Sequence, residues 1–430
     1  MARSIALAAL QLAAHDRDDS HAGLERALDA TRLAALEADL VVLPEATFPA
    51  YVLGKAPLGS HEAEGAIERL RVIARETSTV IVAGAAVLHD GRARNAAVVI
   101  DADGSLAGRA DKLFLWHFDR RWFEDGQRLA PILTKIGLLG VLICADGRLP
   151  TISRALVDRG AELLVMPTAW VTSGRDPQAL ENVQADLLAR VRAYENHVPF
   201  VAANKCGSEL NMVAYCGKSQ IVDAGGEIVA RANEREAEIL RAVITLGAQR
   251  PSRVGTVHPP LRQNYPAAPL RLAISYESLP ADIDERLELL DDAFAISTSD
   301  SGRLDLVDAV IPSMPVDDRT VLDPGGLVPY RRAGYGLFCW TSDIGPPWLE
   351  RIARARAVEL RVYLVVFDRS AQRAFAVDPD GVIVAGTFAH YRLASFTFDP
   401  RKTDEMLVAP GTDVGEGLAR VDAIVTDGSF

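Results

Sequence analysis

The sequence predicts a layered α/β protein, and three observations carry that prediction. Across residues 1–247, apolar runs of strand length alternate with amphipathic stretches of helical period, the pattern of sheets covered by helices. Short turns, Asp101-Ala102-Asp103-Gly104 and Asp223-Ala224-Gly225-Gly226, join some of these runs as hairpins. After a stretch rich in Pro, Gly and Arg, the chain begins a second series of such runs.

The opening run at 5–12 reads as a core strand; Gln11 interrupts it and the chain passes into a helical pattern, which argues against a cleaved leader. Further strands are expected at 40–43, 79–85, 96–100, 138–143, 163–167, 200–203 and 219–222. Helices are expected at 23–37, 62–77, 151–159 and 177–196. Residues 248–269 lack periodicity and read as a linker. Beyond it, LRLAISYE at 270–277 and the helical pattern that follows echo the start of the chain. ARAVELRVYLVV at 355–366 echoes VRAYENHVPFVA at 191–202, and FAVDPDGVIVAG at 375–386 echoes IVDAGGEIVA at 221–230. Three matches in the same order predict an internal duplication with a shortened second copy. The expected division is a first domain at 1–247, the linker at 248–269, and a degenerate second domain at 270–430.

Composition narrows the function classes. Lys+Arg 46 against Asp+Glu 58 gives 46 − 58 = −12, with 24% charged and 49% hydrophobic residues, an ordinary balance for a soluble globular chain. The negative surface predicts neither nucleic acid nor an anionic membrane as partner, and points to small molecules. No apolar run reaches the ~18 residues of a spanning helix. Four cysteines with no C-x-x-C spacing form no disulfide framework, and a reducing cytoplasm is the expected location. The eight histidines show no ligand spacing for zinc, and neither a Walker loop, G-x-G-x-x-G nor G-x-S-x-G is found. No metal or organic cofactor is expected.

Three segments carry chemistry. GLLGVLICADGRLP brings Cys144 from an apolar strand into a tight turn, as a nucleophile requires; an apolar-flanked cysteine also suits an inert core. VVLPEATFPAY puts Glu45 at the end of a strand, where it is either a solvated carboxylate or a base. GRADKLFLWHFDRRWFEDG sets Lys112 beside an apolar-aromatic stretch. There it either snorkels to water or is a fixed cation that holds an oxyanion and lowers a thiol pKa. With only six lysines in the chain, such a placement is a less common coincidence than usual. His117, between Trp116 and Phe118, either lines a pocket or packs.

Glu45 in LPE, Lys112 in DKLFL and Cys144 in ICADGRLP, in that order, resemble the Glu-Lys-Cys triad of the nitrilase or carbon–nitrogen hydrolase superfamily. GAELLVMPTAW at 160–170, with Trp170, and ARVRAYENHVPFVAANKCG at 189–207 resemble its framework. The resemblance covers about 1–247. It implies a four-layer α-β-β-α sandwich and hydrolysis of a non-peptide C–N bond through a cysteine thioester, without a cofactor. Glu45 would be the base, and Lys112 with the backbone N–H of Ala145 would hold the oxyanion. Many members carry a second Glu after the Lys; here Asp119, one methylene shorter, or Glu124 matches, and Thr151 stands where a Glu is frequent. HFDRRWF with CADGRLP most resembles N-carbamoyl amino acid amidohydrolases, in which case Arg148 would grip a substrate carboxylate, while Trp170 and His117 would line the substrate site; a structural ion pair is the other reading of Arg148. The expected substrate is a small amide or N-carbamoyl compound. The alternatives are a nitrilase, acting on a nitrile, and a catalytically silent scaffold or binding protein. A homodimer, or a pseudo-dimer through the C-terminal half, is the expected assembly. That half keeps only Lys402, and its Cys339 lacks the C-x-D-x-R-x-P context, so no second active site is expected.

Overall fold

The computed structural model describes residues 3–426 except 56–57, 60, 175–177, 248–250, 256, 262–264, 266–267, 277–281, 283–284, 287–293, 299–303, 307–312 and 389–391. The chain divides into two compact units, Met1–Pro251 with Ala409–Phe430, and Ser252–Val408. The last segment, expected to close the second domain, is thus part of the first unit.

The first unit is built on two sheets. One contains β1 (Arg3–Ala13), β2 (Leu40–Val42), β3 (Val80–His89), β4 (Arg92–Ile100) and β5 (Leu106–Asp111) in that order. The other runs from β6 (Ile132–Thr134) through β7 (Gly137–Val141) and β8 (Leu163–Pro167) to β9 (Phe200–Ala203). The strands β10 (Lys205–Glu209) and β11 (Val213–Cys216) extend the first sheet beyond β1. In the second sheet, β12 (Gln220–Val222) and β13 (Ile228–Arg231) follow β9, while β14 (Glu238–Leu246) returns antiparallel to β1. β2, β7, β8 and β9 are apolar on both faces because each lies between the opposite sheet and a helix layer. On the outside of the first sheet lie α1 (Ser20–Ala35) and α2 (Glu64–Thr77), whose Ala27, Leu28, Leu70 and Ile73 join Val41, Ile81 and Val98 in one core. On the outside of the second lie α3 (Pro150–Asp158) and α4 (Ala189–Asn196). The result is the four-layer α-β-β-α order.

The strands expected from the apolar period are found, while β6, β10, β11 and β14 are not expected from it, and one helix departs from its expected form. The helix expected at 177–196 is regular only from 189; residues 184–188 form a wider π turn before it. The strand β10 carries too many polar residues to show a pattern, and β11 is only four residues long; both pair toward the sheet's end rather than in its centre.

The second unit contains β15 (Leu270–Ser275), β16 (Phe294–Thr298) and β17 (Leu304–Leu306) in one sheet, closed by β23 (Leu393–Phe398). A second sheet runs β18 (Met314–Val316), β19 (Leu337–Ser342), β20 (Tyr363–Asp368), β21 (Arg373–Val377) and β22 (Ile383–Gly386). There β18, β19 and β20 are parallel and β21 and β22 antiparallel, the order found for β7, β8, β9, β12 and β13. The helix α5 (Trp348–Leu360) precedes β20 as α4 precedes β9. The helical pattern expected after residue 280 lies mostly outside the described residues. Among the described residues, no helix is long and apolar enough to cross a membrane.

Candidate active site

Three chain ends converge between the sheets. Pro44 ends β2 because it has no N–H to give the ladder. The next residue, Glu45, donates its N–H to the Thr168 carbonyl at 3.2 Å and is fully buried. The turn then passes through Ala46 at φ 41°, a left-handed conformation that an alanine seldom holds. It fits only because Gly84 on β3 lies beneath it: a Cβ there would sit 2.2 Å from the Pro44 carbonyl oxygen and 2.5 Å from the Glu45 Cα. Gly84→Ala is therefore expected to displace Glu45, lowering stability by ~1–3 kcal/mol and hydrolysis far more. A thermal midpoint measured beside an activity assay checks both.

Lys112 leaves β5 with its N–H on the Asn95 carbonyl, 2.8 Å away. Its side chain is buried, and Nζ donates to Glu45 Oε1 at 2.7 Å and to Asp119 Oδ2 at 2.6 Å. Burial by itself would lower the ammonium pKa; Asp119 and Glu45 beside it hold it well above its ordinary value. Asn95 Nδ2 donates to the same Glu45 oxygen at 2.6 Å, while Oε2 has no hydrogen-bond partner. That oxygen is the one left to take a proton. Asp119 is placed by Tyr51, whose hydroxyl donates to Oδ1 at 2.7 Å, and by the Trp116 N–H on Oδ2 at 2.9 Å. Glu124, the other expected match, is exposed and paired with Arg92 and Arg94, so Asp119 is the carboxylate that reaches Lys112.

Cys144 opens the tight 3-10 turn Cys144–Arg148 at φ 47°, directly before the proline that starts α3 at Pro150. Asp146 fixes this turn to the lysine segment: Oδ2 accepts from the Ile143 N–H at 2.9 Å, and Oδ1 from Leu113 and Phe114 at 3.0 and 2.8 Å. Burial and the charge of Glu45 push the Cys144 thiol up, while Lys112, the Thr168 hydroxyl and the Ala169 amide pull it down. The sulfur thus shares one buried site with both charged partners and remains a thiol at neutral pH, so its proton must be removed by a base. Ala145 is buried in the same turn.

The remaining expected residues lie around this centre. Trp170 is buried, with its N–H on Asn204 Oδ1 at 2.7 Å, one residue beyond Ala169. Arg148 is half-buried and stacks over the Trp116 ring at 4.5 Å. At Gly147 a Cβ would sit 2.4 Å from Met166 Cε, so a side chain there would require Met166 to move. The His117 side chain is exposed and set edge-on to Phe118. Among the described residues, no group of His, Cys, Asp and Glu is placed to hold a metal. Cys206 and Cys216 are buried thiols that burial pushes up to about 11 and about 12.

Sequence reasoning missed a second buried lysine. Lys205 Nζ pairs with Glu209 Oε1 at 2.6 Å and donates to the Ala46 carbonyl at 3.2 Å, while Glu209 Oε2 accepts from the Val52 N–H at 2.8 Å. Both Lys112 and Lys205 stand 5.8 Å from the Tyr51 ring centre. The pair therefore braces the turn on either side of Glu45 and Tyr51. The N-K-C-G-S-E segment shows Lys and Glu four apart, but only the fold shows that both are buried. Lys205→Met leaves Glu209 an unpaired buried charge and is expected to cost ~3–5 kcal/mol of stability, with activity falling as Glu45 loosens; denaturant midpoints of the single and the Lys205→Met/Glu209→Gln double variant check this, the double being the milder.

Comparison with known proteins gives the following. The family model described as carbon-nitrogen hydrolase matches residues 6–253. An (R)-stereoselective amidase from Pseudomonas sp. is 31% identical over 230 residues, which is 53% of this chain and 80% of that protein. N-carbamoylputrescine amidase from Arabidopsis thaliana is 31% identical over 195 residues, 42% of this chain and 64% of that protein. Among solved structures, a carbon-nitrogen hydrolase from Helicobacter pylori G27 superposes with a TM-score of 0.51 at 27% identity, covering 56% of this chain and 89% of that one. An amidase from Nesterenkonia sp. superposes at 0.50, also at 27% identity, covering 56% and 90%.

Proposed function

The chain belongs to the carbon-nitrogen hydrolase family, and from that premise we propose that it cleaves the C–N bond of a small amide or N-carbamoyl compound through a thioester on Cys144. The observation that carries the reading is the buried Lys112 ammonium, bonded to Glu45 and Asp119 and acting on the thiol. A cation held between two carboxylates in a site closed to water is a poor device for stability alone, and a good one for an oxyanion.

In this reading Oε2 of Glu45 takes the thiol proton as the sulfur bonds to the carbonyl carbon. Lys112 and the Ala145 N–H hold the oxyanion. The tetrahedral adduct collapses, the C–N bond breaks, and the leaving amine or ammonia takes the proton from Glu45. A water then gives a proton to Glu45 while its oxygen attacks the thioester. The C–S bond breaks and Glu45 returns the proton to sulfur. Asp119 keeps Lys112 charged and aimed. Arg148, whose guanidinium lies over the Trp116 ring, would grip a substrate carboxylate, with Trp170 and His117 bounding the site. The amidases among the relatives favour an amide over a nitrile.

The second unit reads as a degenerate copy of the first. The support is the shared pairing order together with repeated buried contacts. Arg356 pairs with Glu359 and donates to the Val321 carbonyl; Arg192 pairs with Glu195 and donates to Gly147. Arg354 caps Gly381 as Arg190 caps Gly226. Asp318 opens a short helix, Asp318–Leu322, in the place where Cys144 opens its turn, and Cys339 lies within β19.

The test is release of ammonia or amine across panels of amides, ureido acids and nitriles. Activity on the first or second panel, absent in Cys144→Ala and unchanged in Cys339→Ser, supports the reading. Activity on nitriles alone, or none with an unreactive Cys144, overturns it.

A further inference from the structure

The chain returns to its first unit after residue 408, and what it touches there is the catalytic loop. The helix α6 (Val414–Thr426) packs on α3, with Val414, Leu418 and Val421 buried. Three contacts go further than packing. Thr412, fully buried, accepts on Oγ1 the N–H of His117 at 2.7 Å. His117 stands at φ 45° and opens the short turn that presents Asp119 to Lys112. Gly417 lies so close to Phe114 and Leu149 that a Cβ would be 2.7 Å from the Phe114 ring and 3.0 Å from a Leu149 methyl. Phe114 is two residues from Lys112 and bonded to Asp146; Leu149 closes the Cys144 turn. Arg420 forms an ion pair with Asp125, at the far end of the same loop.

We propose that residues 409–426 are a positioning element for catalysis, with Thr412 and Gly417 fixing the Lys112–Asp119 loop and the Cys144 turn from behind. The physical argument is one of tolerance. A left-handed non-glycine residue such as His117 is held only where its surroundings over-determine it. The backbone N–H it exposes needs an acceptor, and Thr412 is that acceptor. A displacement near 1 Å at this loop would carry Asp119, and through it the Lys112 ammonium, off the geometry the oxyanion needs. The proposal rests on the trio being catalytic, as proposed above.

The experiment uses the full chain with Thr412→Val, Thr412→Ser and Gly417→Val. Three quantities are read: hydrolysis on the best substrate, the alkylation rate of Cys144 by a haloacetamide, and hydrogen exchange over residues 113–121. Expected for Thr412→Val is a fall of about fivefold to tenfold in kcat with KM within about twofold, recovered in Thr412→Ser, and faster exchange over 113–121. Gly417→Val is expected to do more; if it does not fold, the threonine pair still decides. Unchanged kcat, alkylation and exchange in Thr412→Val overturn the proposal, as does a loss of kcat that Thr412→Ser does not recover. If the unmodified chain hydrolyses nothing, the functional reading fails by itself. The exchange over 113–121 then decides whether residues 409–426 fix that loop, faster exchange in Thr412→Val supporting the positioning and unchanged exchange overturning it.

Discussion

Lys112→Met is expected to be inactive and markedly less stable. The side chain is buried with no exposure, and its ammonium neutralises two carboxylates that have no other cation within bonding distance among the described residues. Removing it leaves Glu45 and Asp119 as uncompensated charges between the sheets, a cost of ~3–5 kcal/mol. Hydrolysis loses the oxyanion partner at the same time, worth ~10²–10³ in rate by itself. The thiol supplies an independent readout. Lys112 pulls the Cys144 pKa down, so its loss raises a value that burial and Glu45 have already pushed up. The alkylation profile of Cys144 should move to higher pH, and intact-mass kinetics over about pH 7–10 would follow it. A Lys112→Met protein with unchanged melting and an unchanged alkylation profile would contradict the placement of the ammonium.

Glu45→Gln is expected to abolish hydrolysis by ~10²–10⁴ while leaving the protein folded. Lys112 retains Asp119, and Asn95 still has an acceptor at the amide oxygen, so the buried bonds are rearranged rather than lost. What disappears is the proposed base, which in that reading is needed once to deprotonate sulfur and again to activate water. The sign on the thiol is opposite to that of Lys112→Met. Glu45 raises the Cys144 pKa, so its neutral replacement lowers it and the alkylation profile moves to lower pH. A variant that alkylates at lower pH yet hydrolyses no substrate separates basicity from nucleophilicity. Retained hydrolysis would remove Glu45 from the mechanism.

Glu45, Lys112 and Cys144 were readable from the resemblance that LPE, DKLFL and ICADGRLP carry, and two of the three also sit where an apolar strand stops. VVLPE and VLICADG each show an apolar run ending on a reactive side chain, and strand ends in α/β folds are where sites form. The second carboxylate was not readable to a single residue. Asp119 and Glu124 both follow Lys112 at short range, and only the turn opened by His117 shows which one faces inward. Lys205 and Glu209 were invisible for a related reason: a short strand rich in polar residues gives no period to mark its buried face.

The sequence by itself determined the layered α/β architecture and the central strands and helices of the first 247 residues, and its resemblance to a family singled out Glu45, Lys112 and Cys144. Hydrophobic period and local turn chemistry act over a few residues and are written in the chain. Tertiary structure alone decided that Asp119 sits on Lys112, that Gly84 makes room for the Glu45 turn, and that the C-terminal helix belongs to the catalytic unit. These depend on contacts between segments tens to hundreds of residues apart, where burial and close approach of backbones are properties of the folded chain and of no segment within it.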